Sequence, residues 1–522
     1  MTVAEYILKF LISKNINNVF LLTGGAISFT VDAFSKNKNI KYTCVAHEQS
    51  AAMMADAYSR AGRGFGATMV TSGPGAQNLI TGIACSWFDS IPVIHISGQV
   101  NTFELSSNNK TTTKVRQIGF QETDIVSMVK PITKFAYQIK NPEEIRYILE
   151  KSFYIATHGR PGPVLIDIPM NFQKEKINLK KIRFFKEPKS VMNNIKIENY
   201  IYRTKELLKK SKRPILIVGG GIRTSKALDE LYKFLKNVNI PIVTTWTGLD
   251  IIDYKHNNYL GTIGVYGSRA ANFAVQNSDL VLNFGSRLDT RVTGGRPDTF
   301  ARSAKIISVD IDKNELNKKR GLNVYLKINL DLKYFLSLIN SKFIKFNYLV
   351  NKDWENICKK WKSDYPNVIK LYYKQKKYVN PYCIFEKLSN KLNNKDIIIG
   401  DTGANLTWAI QSFKIKVGQR FFSAYGNSPM GYSLPAALGA SLANKKKRII
   451  CIIGDAGLQI NIQELQTMVA NSIPVKIFVI NNQGYGIIKQ FQELYLKKNM
   501  KLQLLVMVLP ILILKKFLKH TM

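Results

Sequence analysis

Residues 448–486 read RIICIIGDAGLQINIQELQTMVANSIPVKIFVINNQGYG. A short apolar run rich in isoleucine reads as a buried strand and ends at Gly454-Asp455-Ala456-Gly457. An amphipathic helix is expected next, then a second buried strand ending at Asn481-Asn482. Strand, helix and strand in this order call for a parallel sheet with helices on its faces. Small residues after the first strand let backbone amides approach an anion, and the helix N-terminus behind them favours negative charge. Asp455 and the side-chain oxygen of Asn482 are hard ligands of the kind magnesium takes, with phosphate oxygens to complete its shell. A lone Gly-Asp turn would be an ordinary strand-to-helix junction. Two neighbouring strands that each end on an oxygen ligand make a candidate diphosphate and metal site.

The same alternation runs outward from this stretch. IIIGDTGA belongs to the same block, which is expected over 375–522. Upstream, PILIVGGGI, PIVTTW, DLVLNFGSR and KIISVDID form a second block over 190–340. NVFLL, IKYTCVA, ATMVTS, PVIHISGQ and PVLIDIP form a first one over 1–170. The fold expected is therefore α/β, with three doubly wound parallel-sheet domains. NFQKEKINLKKIRFFKEPKS, from Asn171, has no clean period and reads as a linker. A polar helical segment from about Lys327 to Lys377 bridges the second and third blocks.

Length and composition fit this division. A chain of 522 residues is too long for one core and suggests about three domains. Lys and Arg number 75 against 36 Asp and Glu, a net charge of +39. The lysines are scattered and no nucleic-acid motif accompanies them, so the excess reads as compositional and no nucleic-acid partner is expected. Five cysteines without a CxxC pair suggest neither zinc nor a disulfide framework and fit a reducing cytoplasm. The N-terminus, MTVAEYILKFLISKN, carries Glu5 early and Lys9 within its apolar run. It reads as a first amphipathic helix, not a signal peptide.

Glu48 stands in HEQSAAMMADAYSRAG, after a strand and at the start of a helix with apolar Ala51, Ala52, Met54, Ala55 and Tyr58. Taken alone, a glutamate in a helix's first turn is a favourable and idle position. The strings around it change that weighting. GDAG followed by Asn-Asn resembles the signature of thiamine diphosphate enzymes. HEQSAAMMADAYSRA with TSGPGAQNLITGIACSWFDSIPVIHISGQV resembles the pyrimidine-binding domain of acetolactate synthase catalytic subunits. The resemblance implies thiamine diphosphate bound through magnesium held by Asp455, Asn482 and the Gly484 carbonyl, with Ala456 and Gly457 beside the diphosphate. It implies that Glu48 drives the tautomer that activates the cofactor, for which its carboxyl should be poorly solvated. AYGNSPMGYSLPAALGA places Met430 under the cofactor, and GDTGAN places Gly403 at its diphosphate. Ala404 and Asn405 stand where many acetolactate synthases have Gln-His. Gly25, in a Gly-Gly-Ala turn, would face the thiazolium, with Pro74 and Asn78 on the cofactor side. Phe120 and Gln121 would lie near the substrate of a partner subunit.

In the central block, NFGSRLDTRVTGGRPDTFARSAKIISVDID resembles the flavin-lining stretch of the same enzymes, through Arg287, Asp289, Arg291 and Val292. Arg160 and Asp310 match further flavin positions, and Gly220-Gly221 belong to a Gly-rich strand-to-helix turn, a candidate cofactor contact that a single GGG does not specify. Related proteins carry FAD, ADP or nothing there, and the resemblance leaves these open. The activity implied is decarboxylation of pyruvate and its joining to a second 2-oxo acid, in branched-chain amino acid biosynthesis. The protein would be a homodimer or homotetramer with a possible regulatory small subunit.

Extra residues between Gln99 and Phe120 look more like relatives from surface-polysaccharide pathways, so another 2-oxo acid substrate stays open. The resemblance ends near residue 498, and KLQLLVMVLPILILKKFLKHTM replaces the expected continuation. Its apolar run, broken by Pro510, is too short to span a bilayer. A frame shift or truncation is the expectation there, and with it reduced stability or no activity; a relic that only binds cofactor is the alternative.

Overall fold

The computed structural model describes residues 1–62, 64–108, 115–188, 194–342, 348–482 and 484–496. The segment after 496, on which the C-terminal expectation rests, and residues 109–114 of the extra loop lie outside the described residues.

Three parallel sheets stand in chain order. The first contains β1 (Asn18–Leu22), β2 (Lys41–Cys44), β3 (Gly66–Val70), β4 (Val93–Gln99), β5 (Phe135–Gln138) and β6 (Val164–Pro169), in the order β2-β1-β3-β4-β6-β5. The second contains β7 (Pro214–Val218), β9 (Ile242–Thr244), β10 (Tyr259–Thr262), β11 (Leu280–Phe284), β12 (Lys305–Asp310) and β13 (Leu326–Asn329), in the order β10-β9-β7-β11-β12-β13. β8 (Val238–Asn239) and β14 (Tyr348–Leu349) form a separate short parallel pair. The third holds β15 (Ile397–Gly400), β16 (Arg420–Phe422), β17 (Ile449–Gly454) and β18 (Lys476–Ile480), in the order β16-β15-β17-β18. Every apolar run read as a strand forms one. β3, β4, β6, β7, β11 and β15 are buried throughout, as strands covered by helices on both faces must be.

The opening helix, Val3–Ser13, starts with a capping box in which Thr2 and Glu5 exchange hydrogen bonds. The Glu48–Ala61 helix packs on the Ser433–Ala443 helix, and so joins the first unit to the third. Small residues permit this crossing: a Cβ on Gly439 would lie 2.2 Å from the Met54 carbonyl oxygen.

Four readings change. The expected single helix after Gly454 is two, Asp455–Ile460 and Glu464–Ala470, with Asn461 turned inward between them. β18 is not buried but is the edge strand among the described residues, with Phe478 more than a third exposed. The segment from Lys327 is not a bridging helix throughout, because β13 takes its first residues. The central core also runs past residue 340: Val350, Trp354 and Cys358 are buried in it, and Trp354 Nε1 donates to the Pro214 carbonyl at 3.0 Å.

Candidate active site

In an open parallel sheet, a crevice forms where successive connections leave a strand in opposite directions. The first sheet reverses between β1 and β3, the second between β7 and β11, the third between β15 and β17. Candidate residues stand at the carboxyl ends of these pairs and of the neighbouring strands β2, β12 and β18, which Glu48, Asp310 and Asn482 follow or end.

At the third sheet, Asp455 follows β17 and Gly403 follows β15. Asp455 Oδ1 accepts the Ala456 N–H at 2.8 Å, and Oδ2 accepts the Gly484 N–H at 3.2 Å. One terminal atom of the Asn482 amide lies 3.2 Å from Asp455 Oδ1 and 2.8 Å from the Gly484 carbonyl oxygen. As nitrogen it would donate to both; as oxygen it makes three oxygens converge on one point. These groups border a cavity of about 270 Å³ that Met430, Gly403, Ala456 and Gly457 also line. Gly403 has φ 93°, and a Cβ there would meet nothing within 4 Å, so it is backbone conformation that selects glycine. Gly457 is selected by crowding, since a Cβ would come within 2.2 Å of Asp401 Oδ2.

Asp401 is fully buried beside this cavity and accepts the N–H groups of Gly431 and Ser433 at 3.0 and 3.3 Å. Burial pushes its carboxyl up to about 7, against the opposing pull of those amides. Asn405, only 6% exposed, donates to the Thr402 carbonyl, while its Oδ1 has no protein partner among the described residues. A buried polar atom without a partner, on the wall of a cavity, is suited to a polar ligand. Sequence reasoning did not single out Asp401, nor Trp246 and Tyr266 of the central unit, which also line this cavity. Asp401 stood in the same GDTG string as Gly403; the two aromatic residues carried no local signal.

The first sheet assembles a second cluster. Gly24 presses on Thr71, whose Oγ1 accepts the Ala26 N–H at 3.2 Å. Glu48 is 7% exposed; Asn78 Nδ2 donates to its Oε2 at 2.9 Å, and its Oε1 lies 3.4 Å from where a Cβ on Gly75, next to Pro74, would stand. Gln121, at φ 66°, covers Gly73, while Phe120 is 84% exposed. Around Gly25, the space a Cβ would occupy is open. No residue of this unit lines the Asp455 cavity among the described residues, so Glu48 and Asp455 do not meet in one such pocket of a single chain.

At the second sheet, Gly221 packs against Gly285, and Gly220 against Thr247. Close backbone approach accounts for this glycine pair without a ligand. Asp289 caps the short Thr290–Thr293 helix, accepting from the Arg291 and Val292 amides, and Val292 is core. Arg291 leaves that group: it lines the Asp455 cavity and donates to the Tyr266 hydroxyl at 2.9 Å. Arg287, Asp310, Lys318 and Arg320 line a separate small cleft. Arg160 reaches its rim from the first unit, pairing with Asp312 at 3.0 Å and Glu315 at 2.9 Å. Burial pulls its pKa down, but these carboxylates outweigh burial and hold it above its ordinary value. Burial pushes the Asp310 carboxyl up.

Comparison with known proteins finds a match in each of the three units. The family descriptions "Thiamine pyrophosphate enzyme, N-terminal TPP binding domain", "central domain" and "C-terminal TPP binding domain" match residues 1–128, 201–339 and 401–504. The chain is 37% identical over 503 residues to the acetolactate synthase large subunit of Cyanidium caldarium, covering 95% of this chain and 83% of that one. It is 33% identical to the acetolactate synthase isozyme 2 large subunit of Escherichia coli (strain K12), covering 95% and 86%. For the acetolactate synthase large subunit of Pyropia yezoensis the values are 34%, 95% and 82%.

Proposed function

The chain belongs to the thiamine pyrophosphate enzymes, among the acetolactate synthase large subunits, and from that premise we propose a thiamine diphosphate- and magnesium-dependent carboligase that decarboxylates pyruvate and joins the two-carbon unit to a second 2-oxo acid. The observation that carries the reading is the convergence of Asp455, Asn482 and the Gly484 carbonyl at the cavity wall. With the Asn482 atom as oxygen, three acceptors face one another without a hydrogen between them, and a hard cation relieves that repulsion. The mixed carboxylate, amide and carbonyl set offers the hard oxygen ligands that magnesium takes.

Asp455, Asn482 and Gly484 would hold the metal. The turn at Gly403 and the Ala456-Gly457 turn would take the diphosphate, and Met430 would support the rings. When bound, thiamine diphosphate supplies the carbon nucleophile and the electron sink that decarboxylation requires. The chain supplies the rest. Asn78 occupies Glu48 Oε2, which leaves Oε1 as the atom to hold and return a proton. Arg291 is the only cationic side chain among the described cavity residues and suits the carboxylate of a 2-oxo acid. Because the first unit does not line the cavity, we assign Glu48, Phe120 and Gln121 to the cavity of a partner subunit. A homodimer is then the smallest active form, a tetramer an extension of it. A regulatory small subunit is consistent with relatives named as large subunits.

The small cleft of the central unit carries basic groups suited to a phosphate. It gathers Arg287, Lys318 and Arg320, and Arg320 Nε is buried without a partner among the described residues. We propose FAD as its ligand, in a structural role; ADP in the purified protein, with no flavin absorbance, would replace that assignment. No described helix is long and apolar enough to cross a membrane. The test is acetolactate formation from pyruvate with thiamine diphosphate and magnesium added. Folded protein that forms none, while turning over another 2-oxo acid, rejects the substrate assignment.

A further inference from the structure

Residues 423–432 carry Met430 to the cavity, yet many of their polar anchors belong to the first unit. The Ile80–Asp89 helix ends against them. Asp89 Oδ2 accepts the Tyr425 N–H and Oδ1 the Gly426 N–H, each at 2.8 Å. The fit is close: a Cβ on Gly426 would lie 2.5 Å from Phe88 Cβ and 3.0 Å from Asp89 Oδ1. Asn427 Nδ2 donates to the Thr81 carbonyl at 3.2 Å. Arg60 pairs with Asp89 at 2.9 Å and donates to the Ser423 carbonyl at 3.0 Å. At the far end of the stretch, the Tyr432 hydroxyl donates to Asp56 at 2.5 Å. The Asp56, Arg60 and Asp89 side chains are at most 5% exposed, so water does not compete for these bonds. The third unit's own anchors are Asp401 on Gly431 and Ser433, Asn461 on the Gly431 carbonyl, and Thr402 on Ser428. The diphosphate end of the cavity, at Gly403, Asp455 and Asn482, has no hydrogen bond to the Ile80–Asp89 helix among the described residues.

We propose that Asp89 is a positioning residue for the ring end of the cofactor site: by clamping the amides of Tyr425 and Gly426 it presents Met430, and it leaves the diphosphate end untouched. The inference rests on the reading that thiamine diphosphate occupies this cavity. Two charge-assisted bonds to one buried carboxylate fix a loop that would otherwise have to be ordered at the expense of ligand affinity. An asparagine at position 89 can accept one of the two amides well and leaves the other poorly paired.

The test compares two ligands on the full chain with excess magnesium, thiamine diphosphate and inorganic diphosphate. Trp246, which lines the cavity 5.3 Å from the Tyr425 ring, gives a fluorescence signal for both. Wild type must first bind thiamine diphosphate; if it does not, the reading of the cavity fails, whatever Asp89 does. Given that binding, Asp89→Asn raises the thiamine diphosphate Kd at least about tenfold and leaves the diphosphate Kd within about twofold. Gly426→Ala, whose Cβ would press on Phe88 Cβ and Asp89 Oδ1 and so open the same contact while keeping the Asp89 charge, gives the same split and carries the test should Asp89→Asn not fold. Asp396→Asn weakens the pair that buried Asp396 makes with exposed Arg448 elsewhere in the third unit and leaves both constants unchanged. The proposal is overturned if the folded variants bind thiamine diphosphate like wild type, if both ligands weaken in parallel, or if Asp396→Asn shows the same split.

Discussion

The Glu48 edge of the first sheet and the Asp455 edge of the third are one construction used twice. Each lies where a parallel sheet reverses its winding, and each is built from turns of small residues at the carboxyl ends of strands. They differ in what fills the crevice. At the first, Thr71, Gly75, Asn78 and Gln121 close over the turns and leave Glu48 buried with one oxygen already engaged. At the third, the crevice stays open as a cavity, and Asn405 keeps an unpaired oxygen. A closed edge that fixes one carboxyl is suited to act on a ligand held elsewhere; an open edge with converging oxygens is suited to hold it.

Substitutions at the two edges should therefore separate turnover from binding. The largest effect is expected at the closed edge: Glu48→Gln lowers turnover of pyruvate by about a hundredfold or more. Magnesium-dependent cofactor binding, read by calorimetry, stays close to wild type. An equal loss of binding would erase the distinction. At the open edge, Asp455→Ala weakens cofactor binding by at least about tenfold, or roughly 1.4 kcal/mol, and turnover returns as cofactor is added in excess.

An effect on stability, not on the site's chemistry, comes from Asp401, whose carboxyl burial raises from 3.8 to about 7. The folded chain keeps a proton that the unfolded chain releases over this interval. Its contribution to stability is thus complete below about pH 4 and is lost as pH rises towards 7, at up to about 1.4 kcal/mol per pH unit. Asp401→Asn should flatten the fall in unfolding free energy between those limits, measured by urea titration at several pH values. The smallest change is expected for Gly403→Ala, which meets no neighbour but must adopt φ 93°, at a cost to stability of about 1 kcal/mol. A cost several times larger would mean that the turn is more crowded than it stands here.

The strands were legible because a strand buried on both faces is written as a continuous apolar run, as in Ile449–Ile453 and Ile215–Val218. β5, FAYQ, and β13, LKIN, were not, because half-exposed strands mix polar and apolar residues over too few positions to show a period. Asp455, Asn482 and Glu48 could be named as candidates because each sits in a local string. Asp89 and Asp401 could not, since their meaning lies in amides far along the chain, at Tyr425 and Gly426 for one and at Gly431 and Ser433 for the other. Arg291 was placed with the flavin positions by its neighbours in sequence, whereas Tyr266 and the fold turn it toward the other cavity.

The division between a closed edge and an open one is tested most directly by mixing two inactive proteins, Glu48→Gln and Asp455→Ala, after joint unfolding and refolding at a cofactor concentration too low to rescue Asp455→Ala. If each active site takes Glu48 from one chain and Asp455 from another, half of random dimers are mixed and each has one intact site. Acetolactate formation should then recover to about a quarter of the wild-type rate. A mixture as inactive as its components, with wild type active after the same treatment, would contradict the account and place both residues in the service of a single chain.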